Sequence, residues 1–323
     1  MIDKNAPVFV AGHRGLVGSA LVEKLRREGH TSIVVRTRAE LDLLDQAAVR
    51  RFFSEQNIAY IYLAAALAGG IYANATRPAD FLYQNLVIAT NVMDAAASNG
   101  VEKLLYLGSS CIYPRLAPQP IPESALLTGP LEPTNEAYAI AKIAGLKLCE
   151  AYQRQYGKRF VSAMPTNLYG PNDTFDTERS HVIPALLRRM HDAAAEEVPE
   201  VVVWGTGTPK REFLYADDLA EALYLLMEQY EEIGTINVGS GEEQTIAELA
   251  NVIKDVVGFK GAVRFDPSRP DGTPRKIVDS SRIHALGWKA RTTLEEGLRR
   301  TYQSALARGV FNATPHAASL PPT

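Results

Sequence analysis

The segment YAIAK carries two residues whose types and spacing suit acid–base chemistry. Tyr138 and Lys142 stand four positions apart, which places them on one face of a helix. An unperturbed tyrosine ionises at about pH 10, so it is a poor acid–base catalyst at neutral pH unless a nearby ammonium favours its ionised form. Ser109 ends the preceding predicted strand and offers a hydroxyl to a substrate carbonyl oxygen. Together the three side chains predict carbonyl reduction.

A carbonyl reductase has no need of a thiol, so Cys111 in LGSSCIYP requires its own explanation. One interpretation is a small buried apolar residue, and this is our interpretation of Cys149 in GLKLCEAY. The other is proton transfer, in which a thiol with a pKa lowered by cationic neighbours acts as a base on a carbon next to a ketone. Inverting such a carbon also requires an acid on the opposite face. His181, at the start of the predicted helix in RSHVIPALLRR, is the candidate partner.

A glycine-rich turn, GHRGLVG, lies between the first predicted strand and the first predicted helix. Glycines in this position allow a tight turn and the close approach of a dinucleotide pyrophosphate to the helix N-terminus. The spacing is GxxGxxG, a moderate signal that its position after the first strand strengthens. The predicted cofactor contacts are Gly12, His13, Arg14, Gly15, Leu16, Val17 and Gly18.

The end of the second predicted strand, VVRTRAE, indicates which nicotinamide cofactor binds. An acidic residue there would accept a hydrogen bond from the ribose 2′-hydroxyl of NAD. Arg36 and Arg38 occupy this position instead, and Arg14 lies in the neighbouring glycine turn. Guanidinium groups suit a 2′-phosphate, so the sequence predicts NADP rather than NAD.

Four blocks, GHRGLVG, GSSCIYP, YAIAK and PTNLYGP, together resemble the extended short-chain dehydrogenase/reductases that act on nucleotide sugars. Longer blocks, among them SHVIPALLRR, VVVWGTGTPKREFL and PDGTPRK, extend the resemblance from about residue 7 to 303. They are similar to the bifunctional members of this family. The resemblance implies epimerisation at C3 and C5 of GDP-4-keto-6-deoxy-D-mannose, followed by NADPH-dependent reduction at C4.

The resemblance also implies roles for individual residues. Cys111 and His181 would carry out both epimerisations, and Ser109, Tyr138 and Lys142 the redox step. Which of Cys111 and His181 is the base at each carbon stays open. Besides the glycine turn and the arginines, the implied cofactor contacts are Leu107, Gly108, Ser109, Ser110, Lys142, Pro165, Thr166, Asn167, Leu168 and His181. The implied sugar-nucleotide contacts are Arg189, Trp204, Arg211 and Asp271. No metal site is expected.

Two other functions compete with this prediction. A GDP-sugar 4,6-dehydratase on the same fold needs a carboxylate beside the catalytic serine or threonine, and SSCIY supplies none. A catalytically silent NADP-binding protein would usually lack the tyrosine or the lysine, and both are present.

Alternating strands and helices must position these residues. Apolar runs at 7–12, 32–36, 60–66, 103–110 and 160–168 predict strands, and amphipathic stretches at 15–29, 46–56, 80–98 and 135–156 predict helices. This alternation predicts an α/β protein with a Rossmann-type doubly wound parallel sheet. We expect an NADP-binding domain at 1–168, to which 213–240 returns. A smaller discontinuous substrate lobe is expected at 169–212 and 241–310, and a disordered tail at 311–323.

Composition narrows the class of protein. The formal net charge of −3 over 323 residues gives no reason to expect nucleic acid or an anionic membrane as a partner. No apolar stretch approaches the roughly 20 residues that span a bilayer, and the N-terminus has no signal-peptide pattern. Two cysteines are too few for a disulfide framework. We therefore expect a cytoplasmic protein, and the family resemblance implies an enzyme with a GDP-sugar substrate and a homodimer.

Overall fold

The computed structural model describes residues 2–176, 180–269 and 271–312. Within them the chain forms twelve strands. In chain order these are β1 Val8–Ala11, β2 Ile33–Val34, β3 Tyr60–Leu63, β4 Lys103–Leu107, β5 Arg159–Pro165, β6 Asn167–Tyr169, β7 Glu200–Trp204, β8 Lys210–Tyr215, β9 Thr235–Val238, β10 Glu243–Thr245, β11 Ala262–Asp266 and β12 Arg275–Lys276.

The same residues form ten α-helices, several of which begin at residues that suit an N-terminal cap. Asp45 accepts a hydrogen bond from the backbone N–H of Ala48 at 3.0 Å, and Thr245 and Glu248 form the capping box that their spacing predicts. The helices are α1 Leu16–Arg27, α2 Gln46–Glu55, α3 Ile71–Thr76, α4 Pro78–Ser98, α5 Glu136–Tyr156, α6 Val182–Ala195, α7 Ala216–Gln229, α8 Ile246–Val257, α9 Ser281–Ala285 and α10 Leu294–Ala307.

The main sheet is parallel, with the strand order β2-β1-β3-β4-β5-β9. Its central strands are apolar on both faces because helices cover both. Helices α1 and α7 pack on one face through residues such as Leu21 and Leu223. Helices α2, α4 and α5 pack on the other through residues such as Phe53 and Met93. The predicted doubly wound fold is therefore confirmed.

The direction of strand addition reverses between β1 and β3. From β1 the chain first adds β2 on one side and then crosses to β3, β4 and β5 on the other. In such sheets a crevice opens at the carboxyl ends of the two strands that flank the reversal. The glycine turn follows β1, VVRTRAE runs on from β2 and GSSCIYP runs on from β4, so these motifs lie at the carboxyl edge of the main sheet.

A second group of strands lies beyond the main sheet. Strand β8 pairs with β10, β12 and β6, and β7 pairs with β11. Helices α6, α8 and α10 pack with these strands around a separate apolar core that includes Leu187, Ile253 and Leu298. This part contributes the far wall of the cleft.

Two local expectations differ from the structure. The predicted strand at 160–168 is split, because β5 ends at Pro165 and Asn167–Tyr169 leaves the main sheet to pair with β8. The segment at 265–279 has a polar, Pro-rich composition that predicts a loop outside the core, and the structure differs from this. Arg275–Lys276 forms β12, and Ile277 and Val278 are buried. The polar composition does not predict this strand, because β12 pairs with β8, which lies more than sixty residues earlier in the chain.

The predicted tail begins later than residue 311. Phe311 is buried and stacks on His191, with ring centroids 4.4 Å apart. The remainder of the predicted tail, from residue 313, lies outside the described residues. No helix in the described part of the chain is long and apolar enough to cross a membrane.

Candidate active site

The glycine turn after β1 is built for close backbone contacts. Gly12 has a φ of +87°, and a Cβ on it would lie 2.9 Å from the backbone nitrogen of Ala65. A Cβ on Gly18 would lie 2.1 Å from the Gly12 carbonyl oxygen. Only glycine fits either position. The turn brings the start of α1, capped by Gly15, against the crevice, where first-turn N–H groups and the helix dipole favour a phosphate.

A cavity of about 470 Å³ opens beside this turn. The glycine turn and the chain after β3 line the cavity on one side, and the chain after β2 lines it on the other. The predicted contacts that line it are Gly12, His13, Arg14, Gly15, Arg36 and Arg38. Leu16, Val17 and Gly18 do not line it. They form the first turn of α1 behind the cavity, and Val17 is buried in the core.

The two arginines hold different positions at the rim. Arg36 donates a hydrogen bond to the Val35 carbonyl oxygen at 2.8 Å, and its guanidinium lies 5.4 Å from the centre of the Phe52 ring. Arg38 is exposed and forms an ion pair with Asp42 at 3.3 Å. The cavity therefore presents two guanidinium groups where a 2′-phosphate would lie, and the residues fit NADP.

The end of β4 carries the next set of predicted contacts. Leu107, Gly108 and Ser110 are buried, and Ser109 is half-buried at the start of a short 3₁₀ helix, Ser110–Ile112. The Ser109 hydroxyl accepts a hydrogen bond from the backbone N–H of Cys111 at 3.3 Å. The neighbouring strand carries the other predicted contacts. Pro165 ends β5, Thr166 follows it, and Asn167 and Leu168 begin β6.

That second chain segment is fixed by Glu212 of β8. The Thr166 hydroxyl and the Asn167 amide both donate to the Glu212 carbonyl oxygen, at 3.2 Å and 2.8 Å. These bonds hold the segment across from Ser109, at the carboxyl edge of the main sheet.

Tyr138 and Lys142 lie on α5 as predicted. The Lys142 ammonium donates to the Leu107 carbonyl oxygen at 2.8 Å and lies 5.7 Å from the centre of the Tyr138 ring. The Tyr138 ring also packs edge-on against Phe81, with centroids 6.1 Å apart. The helix therefore brings the pair to the end of β4, next to Ser109 and Cys111.

The electrostatics of this pair differ from the expectation. Burial raises the pKa of Tyr138, and the neighbouring Cys111 adds to this rise. Burial also lowers the pKa of Lys142 to about 8, which still leaves its ammonium largely protonated at neutral pH, but that charge is not among the causes that shift the pKa of Tyr138. The expected lowering of the Tyr138 pKa by Lys142 is therefore not seen, because burial raises the pKa instead. The phenol stays protonated at neutral pH, and this is the form that can donate a proton.

Cys111 is 8% exposed and lies in the middle of the short 3₁₀ helix. Burial raises the pKa of its thiol, and the charges of Lys276 and Lys142 and the hydrogen bond with Ser109 oppose that rise. The expected net lowering of the thiol pKa by cationic neighbours is therefore not seen. The cations are present, but the desolvation of a buried thiolate outweighs them.

His181 is the N-terminal cap of α6, as its position in the sequence predicts. The residue is exposed as a whole, but desolvation of its imidazole by the surrounding protein lowers the pKa of that ring, and the charge of Lys276 lowers it further. Cys111 and His181 lie on different elements. The one charged group that acts on both is Lys276, among the residues that the structure describes.

The predicted sugar-nucleotide contacts lie on the far wall. Trp204 ends β7 and is 65% exposed. The Asp271 carboxylate accepts hydrogen bonds from the backbone N–H and the hydroxyl of Thr206, at 2.7 Å and 2.9 Å. Arg211 lies next to this loop, because a Cβ on Gly272 would lie 3.5 Å from its guanidinium. Burial lowers the pKa of Arg211, and the charge of Asp271 opposes this.

Arg189 lies apart from those three. It is on α6 and donates to the backbone carbonyl oxygen of Val202 in β7. Its guanidinium thus contacts the strand that carries Trp204 rather than the loop that carries Asp271.

Sequence reasoning missed two side chains of the far wall. The Arg269 guanidinium lies 5.2 Å from the centre of the Trp204 ring, and Lys276 pairs in register with Arg211. Both fall in the segment 265–279, whose polar, Pro-rich composition predicts a loop. The block PDGTPRK contained Lys276, but only the β8–β12 pairing places that lysine in the cleft.

The glycine turn, the cavity and the tyrosine–lysine pair define an enzyme of the dinucleotide-binding, doubly wound α/β class. The NAD dependent epimerase/dehydratase family matches residues 8–239, and the chain belongs to this family. The resemblance inferred from the motifs is thereby confirmed.

Individual relatives cover almost the whole chain. It is 59% identical over 302 residues to GDP-L-fucose synthase 1 of Arabidopsis thaliana, covering 94% of each chain. It is 58% identical over 305 residues to GDP-L-fucose synthase of Escherichia coli, covering 92% of this chain and 95% of that one. A solved structure of a GDP-L-fucose synthetase from Naegleria fowleri bound to NADP matches with a TM-score of 0.88 and 30% identity, covering 95% of each chain.

Proposed function

We propose that this protein forms GDP-L-fucose from GDP-4-keto-6-deoxy-D-mannose by two epimerisations and an NADPH-dependent reduction. The observation that carries the proposal is the Cys111 thiol. It is buried beside Ser109 and within electrostatic range of Tyr138 and Lys142. A plain reductase has no use for it, and the near-full-length relatives named above bear the name of this activity.

Epimerisation depends on the 4-ketone, which acidifies the carbons on either side. Removing the proton at C3 or C5 places negative charge on the ketone oxygen, where the hydroxyls of Ser109 and Tyr138 stabilise it. Cys111 and His181 exchange protons with the two faces of the carbon. One side chain takes the proton and the other returns one from the opposite side, so the configuration inverts and no net proton is gained.

Reduction uses the same hydroxyls after the second inversion. When bound in the cavity, NADPH supplies the hydride that adds to C4. Tyr138 donates the proton to the ketone oxygen, which becomes the hydroxyl of the product. The raised pKa of Tyr138 suits this role because the phenol carries its proton at neutral pH. Ser109 positions the ketone oxygen. Lys142 orients the site through its hydrogen bond to the Leu107 carbonyl oxygen.

The far wall is assigned to the GDP part of the substrate. The Arg211 guanidinium can donate paired hydrogen bonds to the pyrophosphate, and the exposed face of Trp204 offers an apolar surface. Asp271 holds the loop that connects them. Arg189 is assigned to the same wall on the family resemblance. The corresponding domain division is 1–168 with 213–240 for NADP, and 169–212 with 241–310 for the sugar nucleotide, except that β6 pairs with β8 beyond the main sheet and that Ile283 and Trp288 pack in the main-sheet core.

A homodimer and a cytoplasmic location complete the proposal. Helices α4 and α5 pack together and leave Tyr83 and Ile140 exposed, at 64% and 43%, which suits the self-association that the family resemblance implies. Both cysteines are free, which suits a reducing compartment. Light scattering of the pure protein tests the dimer, and a monomer at micromolar concentration would contradict it.

The alternative of a 4,6-dehydratase has no support in the site. Among the described residues, no carboxylate charge acts on Tyr138. A carboxylate is what that reaction requires beside the hydroxyl.

The deciding experiment follows NADPH absorbance with and without GDP-4-keto-6-deoxy-D-mannose and identifies the product by NMR. We expect substrate-dependent oxidation and inversion at both C3 and C5. Oxidation of NADPH without inversion at C3 and C5 would mean that the protein is a reductase only. No oxidation by folded protein that binds NADPH would overturn the proposal as a whole.

A further inference from the structure

The ring of Tyr106 packs directly against the Lys142 ammonium. Tyr106 is the fourth residue of β4 and is 2% exposed. The Lys142 Nζ lies over this ring, 4.9 Å from its centre, and 5.7 Å from the centre of the Tyr138 ring. The same nitrogen donates to the Leu107 carbonyl oxygen at 2.8 Å. The ammonium is therefore held by one carbonyl oxygen and two aromatic rings.

A glycine in the middle of α5 shows how closely the Tyr106 ring is held. Gly145 follows Lys142 by three residues, so the two positions lie on the same face of the helix. Glycine inside a helix destabilises it relative to alanine, so its presence here needs a reason. A Cβ on Gly145 would lie 2.5 Å from both Cζ and the hydroxyl oxygen of Tyr106. The helix thus passes directly over the ring, and this contact fixes the ring beside Lys142.

Burial makes the face of the Tyr106 ring important for Lys142. Burial raises the pKa of Tyr106, so its phenol is uncharged at neutral pH. Burial lowers the pKa of Lys142 because it disfavours the charged ammonium. The face of an aromatic ring attracts a cation within about 6 Å of its centre, most strongly where water is excluded. Both the 4.9 Å distance and the burial meet these conditions.

The titratable groups around Lys142 come from three elements. Tyr106 lies on β4, Tyr138 lies one turn earlier on α5, and Cys111 in the 3₁₀ helix is close enough for its charge to act on Lys142. Burial raises the pKa of all three, which favours their uncharged forms at neutral pH. The ammonium therefore depends on neutral partners, the two ring faces and the Leu107 carbonyl oxygen.

We propose that Tyr106 is a positioning residue for Lys142, whose ring face keeps the ammonium charged and directed at the Leu107 carbonyl oxygen. This inference rests on the proposed function, because that function assigns Lys142 to the site of reduction. A neutral amine has one N–H donor fewer than an ammonium and lacks its charge. Without the attraction of the ring, Lys142 would reach this neutral form at a lower pH.

The test replaces Tyr106 with phenylalanine and then with phenylalanines that carry one, two or three ring fluorines. Fluorine withdraws electrons from the ring face and weakens its attraction for a cation, while ring size hardly changes. Lysine labelled with ¹³C at Cε reports the titration in the protein without substrate, and Lys142→Met assigns the signal. We expect the Lys142 midpoint to fall with each fluorine, by about one pH unit in total. Tyr106→Phe should stay close to the unmodified protein.

Two controls separate the ring face from packing. Lys103 begins the same strand, is fully buried and donates to the Leu226 carbonyl oxygen at 3.0 Å. It lies three residues before Tyr106, so its side chain leaves the opposite face of the sheet, and its midpoint should not change. The second control places the same fluorinated residues at Phe53, a ring buried in the same apolar core. They should leave the Lys142 midpoint unchanged.

Three results would overturn the inference. One is a Lys142 midpoint that stays unchanged or rises as fluorines are added at position 106. Another is an equal fall at Lys103 or in the Phe53 series, because altered packing would then explain the change. The third is a fall in Tyr106→Phe as large as that of the most fluorinated ring, because the hydroxyl rather than the ring face would then be responsible.

Activity gives the matching functional result. The loss of NADPH oxidation at high pH should move to lower pH by as much as the Lys142 midpoint falls, while the rate well below that midpoint is unchanged. The titrations need no substrate, so falling midpoints in a protein that oxidises no NADPH would contradict the proposed function alone. An active enzyme whose Lys142 midpoint does not respond to the fluorines would contradict only the role of Tyr106.

Discussion

The cofactor edge and the proton-transfer edge of the main sheet are built in opposite ways. At the cofactor edge, the glycine turn and the two arginines come from two short stretches of sequence, and the arginine charges lie at a solvent-open rim. At the proton-transfer edge, Cys111, Tyr138, His181 and Lys276 come from four elements. All of them lie where burial shifts the pKa away from its ordinary value.

This difference determines how each edge responds to change. Binding at the cofactor edge depends on backbone shape and on exposed charge, which tolerate small shifts. Proton transfer depends on groups for which burial favours the uncharged form, so that one neighbouring charge alters their protonation. We therefore expect the largest effects of substitution at the proton-transfer edge and smaller ones at the cofactor edge.

Tyr138→Phe removes the proton donor for C4 and should have the largest effect. We expect NADPH oxidation to fall by about a thousandfold, within the range that general acid catalysis contributes. The Cys111/His181 pair is untouched, so solvent deuterium should still enter C3 and C5, more slowly because one hydroxyl of the enolate site is lost. NADPH oxidation at the unmodified rate would contradict the assignment, and NMR of the recovered sugar nucleotide measures the exchange.

Cys111→Ser should have the next largest effect, and on the other half of the reaction. A hydroxyl is a far weaker acid than a thiol, so we expect deuterium incorporation at C3 and C5 to fall by about a hundredfold or more. Reduction of the unepimerised ketone should survive in part, because Ser109, Tyr138 and Lys142 remain. Cys149→Ala is the matched control, since that buried thiol lies against Met93 in the core and should affect stability alone. Undiminished exchange in the Cys111 variant would contradict the role of the thiol.

Gly18→Ala tests the shape of the cofactor edge. Its new Cβ would lie 2.1 Å from the Gly12 carbonyl oxygen, and no side-chain rotation can separate these two atoms. Such overpacking costs about 1–3 kcal/mol, so we expect NADPH affinity to weaken by roughly ten- to a hundredfold. Calorimetric titration measures it. Gly129→Ala is the control, because its Cβ would meet only Pro114, at 3.4 Å. Equal affinities for the two variants would show that the turn is not constrained.

The two edges also differ in what could be predicted from the sequence. The glycine turn, Arg36, Arg38, Tyr138 and Lys142 are recognisable because their spacing is local and a strand or helix period fixes it. The main sheet follows from the same alternation. Lys276 was missed because its place depends on the pairing of β12 with β8, across sixty-five residues of chain from Arg211. The pKa shifts were missed because desolvation depends on the packed protein rather than on neighbours in sequence.

Arg36→Ala should have an effect that is confined to one cofactor. If Arg36 binds the 2′-phosphate, its loss removes a charge-assisted hydrogen bond of about 1.5–3 kcal/mol, so NADPH affinity should fall at least tenfold. NADH affinity should barely change. Arg26→Ala controls for the loss of one positive charge, since Arg26 is exposed on α1 and lies outside the cavity. Fluorescence titration of both cofactors gives the ratio of their dissociation constants. An equal loss for NADPH and NADH would mean that Arg36 supports the cavity wall through Phe52 rather than selecting the phosphate.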